Sequence, residues 1–353
     1  MKKISMIMAA AFAAPLAFAQ TNVTLFGVVD MSVAHVQGSG NGSRSGIATG
    51  SSAPGRLGFR GTEDLGGGLS AGFWLEGALD SDVGNANGFN FQRRATVSLL
   101  SNSLGELRMG RDNTPLFLNL IGFDPFAARG VGGLLTNTYF GYSSTVRQSN
   151  TVTYLLPSKL GGVYGLAQYA FGEKSSTALN DKQNDFVGGR LGYMSGPANV
   201  VAAYGQWKQA IGASDVAPFA EGRDLNVGSI TGTYNFGFIK PVLFYGSERV
   251  KGAPAANSRI DTMMIGATAP IGASEIKVSL AHHDLKNSAN DFNKFALGYG
   301  YYLSKRTYLY GTVARLNNKG TATRSISADG LAAAGTSAGG NSNGFEFGVR
   351  HSF

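Results

Sequence analysis

From residue 23 to the final residue, stretch after stretch of this chain alternates apolar and polar side chains at every second position. Ala71, Phe73, Leu75, Gly77 and Leu79 alternate with Ser70, Gly72, Trp74, Glu76 and Ala78. The last residues do the same: Phe345, Phe347, Val349, His351 and Phe353 share one face of an extended chain, and Glu346, Gly348, Arg350 and Ser352 share the other. Period two marks a strand with a different environment on each side. The chain stops inside such a run, so its end is a strand rather than a loose tail. Its 51 glycines are about twice the usual share of roughly 7%, which suits turns and weakens helix interiors.

The connections alternate as well. Short turns fall at Glu63–Gly68, Ser101–Gly105, Ser158–Gly162, Ser195–Pro197, Phe236–Phe238, Pro270–Ala273 and Ser304–Arg306. Between them lie polar loops at 37–53, 80–88, 112–146, 174–184, 211–222, 253–258, 287–292 and 319–342. Bounding strands this way gives sixteen, with eight long loops and seven short turns, at about 21 residues per strand with its connection. That length suits membrane-spanning strands of ~9–11 residues. Sorting of short and long connections to opposite ends predicts a closed, sixteen-stranded antiparallel β-barrel in a membrane, since lipid leaves no partner for an open sheet edge.

The N-terminus predicts export. Met1–Lys3 is basic, Ile4–Phe18 is apolar with Pro15 inside it, and Ala17–Phe18–Ala19 is a small-residue cleavage site, the three parts of a signal peptide. Cleavage after Ala19 leaves 20–353 as one barrel domain and removes Lys2 and Lys3, lowering the net charge from +8 to +6. No later window approaches the ~20 apolar residues of a spanning helix. The absence of cysteine decides little.

Several segments resemble the trimeric general porins of Gram-negative outer membranes, and the betaproteobacterial branch with its anion-selective members most of all. They are VTLFGVVD (23–30), RLGFRGTEDLGGGLSAGFWLE (56–76), FNFQRRATVSL (89–99), GELRMGRD (105–112), RQSNTVTYLLP (147–157), TYNFG (233–237), LSKRTYLYG (303–311) and GVRHSF (348–353), all in the family's order. Loops 37–53, 211–222 and 319–342 carry no resemblance. The likeness implies an outer-membrane diffusion channel, a homotrimer among outer-membrane lipid and lipopolysaccharide, and a third loop, 112–146, folded inward to narrow the pore. Its length alone makes it more than a bland connection. The constriction arginines of the family map onto Arg56 and Arg93, and less directly onto Arg129. The facing acid maps onto Glu76, with Asp124 as the expected acid on the loop. The final aromatic, Phe353, corresponds to the signal read by the barrel-assembly machinery.

Alternation itself places further charges inside the barrel. Arg56, Arg60, Glu76, Arg108, Arg147, Arg190, Lys277 and Arg350 each oppose an apolar outer row. In FNFQRRATVSLL the row Ala95, Val97, Leu99 turns Arg94 inward and Arg93 towards lipid, whereas the resemblance puts Arg93 in the pore; a bulge would reconcile them. In TYLYGTVARL, Arg315 falls with Leu309 and Val313, and periodicity does not resolve that strand. Many arginines against few acids predict a preference for small inorganic and organic anions, which arginine's fixed charge and planar fork suit.

Other chemistry is thin. His282 and His283 are strand neighbours and point to opposite faces, so they form no metal pair. GSGNGSRSG (38–46) lacks the spacing of a phosphate cradle, and no serine sits in a G-x-S-x-G elbow. No cofactor, metal or nucleic-acid partner is expected. The alternatives are an outer-membrane barrel enzyme of protease or phospholipase type, or a surface adhesin or receptor barrel.

Overall fold

A computed structural model describes residues 22–86, 90–134, 145–211, 222–251 and 259–353. The leader expected at 1–19 lies outside the described residues. The first strands are β1 (Asn22–Gly38), β2 (Gly42–Thr49), β3 (Arg56–Gly66), β4 (Leu69–Ala78), β5 (Arg94–Ser101) and β6 (Gly105–Asn113). A helix, α1 (Pro115–Phe123), follows within the third long loop. The wall continues as β7 (Arg147–Leu155), β8 (Val163–Ala170), β9 (Phe186–Ser195), β10 (Ala198–Ile211), β11 (Arg223–Tyr234) and β12 (Lys240–Val250). It ends with β13 (Arg259–Ile271), β14 (Ser274–Leu285), β15 (Phe292–Tyr302), β16 (Thr307–Asn318) and β17 (Asn341–Ser352).

From β3 onward each strand pairs antiparallel with the next. β1 closes the ring, pairing with β17 from Val28↔Ser352 to Gly38↔Ser342 and with β2 and β3 on its other edge. The seam is finished by the last residue: Phe353 donates its N–H to Gly27 O and accepts from Gly27 N–H, both at 3.1 Å. First and last strands thus cover each other's edges at the seam.

The wall has sixteen positions, and seventeen strands arise because the second position is broken. Residues 37–53 were expected to form a loop, but most of them extend the first hairpin, with β2 paired to β1 from Met31↔Thr49 to Gly38↔Gly42. Gly50 is left-handed at φ 79°, Pro54 has no amide proton to donate, and a Cβ on Gly55 would sit 2.3 Å from Leu79 O. Residues 50–55 therefore leave the wall. They turn into the lumen, where the Asp30 carboxylate accepts the N–H groups of Ser52 and Ala53 at 2.8 and 2.6 Å.

Alternation sorts the faces as the sequence required. Phe347 is 64% exposed and Val33 58%, whereas their neighbours Glu346 and Ser32 are 3% and 2%. Tyr193, Tyr234, Phe236, Phe238, Tyr299 and Tyr301 are exposed near the short turns, and Phe353 joins them, giving an aromatic girdle at that rim. His351 lies at the same rim, bonded to Thr307 Oγ1 at 2.9 Å. Arg315 shares the outer face with Val313, opposite Phe295, while Tyr308 and Tyr310 are buried inside.

Candidate functional site

The third loop crosses the lumen, and its path is written in the residues at both ends. Thr114 caps α1, accepting from Phe117 N–H at 3.2 Å, with Pro115 at the first helical position. The same hydroxyl donates to Thr145 O, and Thr114 N–H donates to Val146 O at 3.1 Å, tying the two ends of the loop together. The helix lies against β8 to β11, with Asn119 Nδ2 donating to Ser229 Oγ at 2.8 Å. Beyond it the chain runs round the wall towards β17.

Wall glycines make room for it. A methyl at Gly205 would stand 2.7 Å from Leu116 Cδ2, at Gly266 2.9 Å from Pro125, at Gly298 2.8 Å from Phe126 and at Gly344 3.0 Å from Val131. Side chains on this stretch of wall would hold the loop away; their absence lets it dock. Lys294 Nζ on β15 donates to Gly133 O at 2.6 Å, and Val131 N–H donates to Glu346 Oε2 at 3.2 Å.

The fixed charges meet where this loop faces β3 to β7. Glu76 accepts from Arg93 Nε at 2.6 Å and from Trp74 Nε1 at 3.1 Å. Arg56 and Arg129 act electrostatically on Arg93, and Arg93, Arg129 and Arg111 on Arg147, so five guanidiniums share one neighbourhood. Arg147 stands where the loop rejoins the wall, its guanidinium 5.8 Å from the Phe117 ring centre. Arg129 pairs with Asp329 of loop 319–342 at 3.5 Å. Among the described residues no carboxylate pairs with Arg56, Arg111 or Arg147; Arg111 donates instead to Gln92 O and Ser149 Oγ. Three cations of the cluster are thus unneutralised.

Arg93 and Arg94 both reach the lumen. Arg94 begins β5 opposite Glu76, so register turns it inward, and its guanidinium lies 4.5 Å from the Trp74 ring centre. Arg93 precedes the strand, outside its alternation, and its backbone N–H donates to Glu76 O at 3.1 Å. No bulge is required, because the strand starts one residue later than the sequence pattern suggested.

Asp124 was expected to face Glu76 across the pore, and the structure instead turns it into its own loop. Oδ1 accepts from Phe126 N–H at 3.1 Å, and Oδ2 from Ala128 and Leu134 N–H at 2.8 and 2.9 Å. These bonds hold Ala127 and Ala128 in left-handed backbone, at φ 52° and 56°. Burial pushes the Asp124 carboxyl above the usual range, against those three amides. The loop acid at the waist is Asp329, which sequence reasoning missed. Its one signal is the Asp329–Gly330 turn between apolar residues, closed by the Ala328↔Leu331 bridge.

The remaining inward charges divide by partner. Arg108 is held by Glu106 and Asp112 at 2.8 and 2.6 Å, and Lys277 by Glu275 at 3.0 Å. Arg60 lies against the rings of Phe26 and Trp74, and Arg190 against Tyr164. Arg350 stacks on Tyr308 at 4.6 Å and donates to Ser52 Oγ at 3.0 Å. Glu346, expected to face the water-filled interior, is buried under the loop it holds. The lumen also carries acids that a count of arginines overlooks, Asp30, Glu106, Asp112 and Glu275. Among the described residues no group of three metal-ligating side chains comes together, and His282 and His283 do point to opposite faces.

A family model for Gram-negative porins matches residues 6–321. Outer membrane porin protein 32 of Delftia acidovorans is 39% identical over the whole of both chains, and an outer membrane porin protein of Bordetella pertussis is 33% identical over 84% of this chain and 90% of its own. Among solved structures, an anion-selective porin from Comamonas acidovorans superposes with a TM-score of 0.84 at 37% identity, covering 95% of this chain and all of that one. The trimer form of OmpT from Vibrio cholerae shares the fold at a TM-score of 0.67 and 16% identity, over 94% and 99% of the chains. Barrel, inward loop and sequence agree: the chain belongs to the Gram-negative porin family.

Proposed function

We propose that the chain is a passive diffusion channel for small hydrophilic solutes across the outer membrane, favouring anions. The observation that carries the preference is the waist, where Arg56, Arg93, Arg129 and Arg147 stand against Glu76 and Asp329. An anion crossing there meets positive charge from the wall and from the third loop at once. In a narrow aqueous path with low-dielectric walls, such a field raises the local anion concentration and opposes cations. No chemistry is asked of the residues: Glu76 and Trp74 hold Arg93 in place, and the loop sets the width.

The anion-selective porin of Comamonas acidovorans, similar over almost the whole chain, supports the same preference here. Export by the leader 1–19, assembly as a homotrimer among outer-membrane lipid and lipopolysaccharide, and recognition of Phe353 by the barrel-assembly machinery belong to the same reading. No observation favours the enzyme or adhesin alternative. Liposomes carrying the purified protein should swell in isotonic solutions of small solutes, and faster with a small carboxylate than with an amine of equal size. Vesicles that do not swell contradict the channel; swelling that favours the amine contradicts the waist.

A further inference from the structure

Loop 319–342 carried no resemblance and no expected role, yet it folds into the barrel mouth and touches the waist. Ile326 is fully buried between Gly344 and the loop residues around Val131, and its N–H donates to Ser342 Oγ at 3.0 Å. Asp329 O accepts from Thr49 N–H at 2.9 Å, fastening this segment to the first hairpin. We propose that Asp329 is a selectivity-positioning residue: from the last loop it holds the Arg129 guanidinium and the Gly130 amide, and so fixes how much of one waist charge a permeating anion meets.

The junction is tightly determined. Asp329 Oδ2 accepts from Gly130 N–H at 3.1 Å while Oδ1 lies 3.5 Å from Arg129 Nη1. Gly130 is left-handed at φ 59°, and a Cβ there would lie 2.2 Å from Glu346 Oε1 and 2.8 Å from Ser51 O. Wall strand β17, the inward turn at 50–55 and loop 319–342 therefore converge on one glycine. Asp124 fixes Ala128 on its far side. With the backbone of Arg129 clamped before and behind, its side chain takes its direction from Asp329, the one carboxylate that pairs with it among the described residues. Asp329 both aims that cation and neutralises part of its charge.

The inference rests on the anion-preferring channel proposed above, and a double-mutant cycle separates the two. Reversal potentials would be measured in a KCl gradient for the wild type, Asp329→Asn, Arg129→Gln and the double variant. Asp329→Asn keeps an acceptor for the Gly130 amide, so the loop stays seated. It should raise the anion-to-cation permeability ratio about two-fold or more, by removing a negative charge and freeing the Arg129 side chain, and should raise it clearly less once Arg129 is Gln and no cation is left to aim. Asp329→Glu should restore the wild-type ratio. Equal rises in both backgrounds would make Asp329 an independent lumen charge and overturn the proposal. So would an unaltered ratio, or a change in conductance alone. A wild type without anion preference would instead refute the underlying function.

Discussion

Neutralising Arg56 and Arg93 together, by Arg56→Gln and Arg93→Gln, removes two of the five clustered cations while leaving both carboxylates in place. Arg56, Arg93, Arg111, Arg129 and Arg147 against Glu76 and Asp329 leave three positive charges; without Arg56 and Arg93 one remains. One elementary charge about 10 Å from a permeating ion is worth about 0.4 kcal/mol through water. Screening over a Debye length of ~10 Å at 0.1 M salt reduces that to about 0.15 kcal/mol. Anion and cation shift in opposite directions, so each charge alters the permeability ratio about two-fold, and the pair about three- to four-fold. The assay is the zero-current potential of single channels in a KCl gradient centred near 0.1 M. Arg315→Gln provides the control, because that cation sits on the outer face opposite Phe295 and should leave the ratio unaltered. A double variant with wild-type conductance and an unshifted reversal potential would refute the placement of the waist. So would an equal shift in the Arg315 control.

Other outcomes follow from the same contacts. Asp124→Ala removes three amide bonds to a charged acceptor, each worth roughly 1.5–3 kcal/mol. The barrel should persist while loop 112–146 becomes open to protease and the unitary conductance rises; a loop as resistant as the wild type would contradict that role. Gly298→Val should unseat Phe126, at a cost of about 1–3 kcal/mol of overpacking, and raise open-channel noise; quiet channels of wild-type size would argue against the wall sockets. Deleting Phe353 removes the paired bonds to Gly27 and should lower the yield of membrane-inserted protein severalfold, whereas wild-type levels would contradict its role in closure and assembly. Sequencing the exported protein should return Gln20 as its first residue; any other start would move the leader boundary.

Most of the barrel was legible because one physical rule, lipid outside and water inside, repeats along every strand. Alternation alone assigned Glu76, Arg56, Arg60, Arg108, Arg190, Lys277 and Arg350 to the inner face. What escaped depended on contacts distant in sequence. GSRSGIAT, residues 42–49, reads as loop by composition and becomes β2 because β1 offers a partner edge. Asp124 and Asp329 are alike in sequence, each a carboxylate in a loop beside glycine or proline. Only the folded path sends one to backbone amides and the other to Arg129. Period two turned Arg93 towards lipid because Arg93 lies just outside the strand, where alternation does not hold. Glu346 looked like a pore charge by its face, and burial under Val131 made it an anchor. Position along the pore axis, unlike side of the wall, has no signature in local pattern.

The most direct test of the central claim is the reversal potential of the wild-type channel itself, read in a KCl gradient and repeated at higher ionic strength. A waist with three unneutralised arginines should give a potential on the chloride side at 0.1 M that shrinks towards zero near 1 M, where the Debye length falls to ~3 Å. A potential on the potassium side at low salt would contradict it.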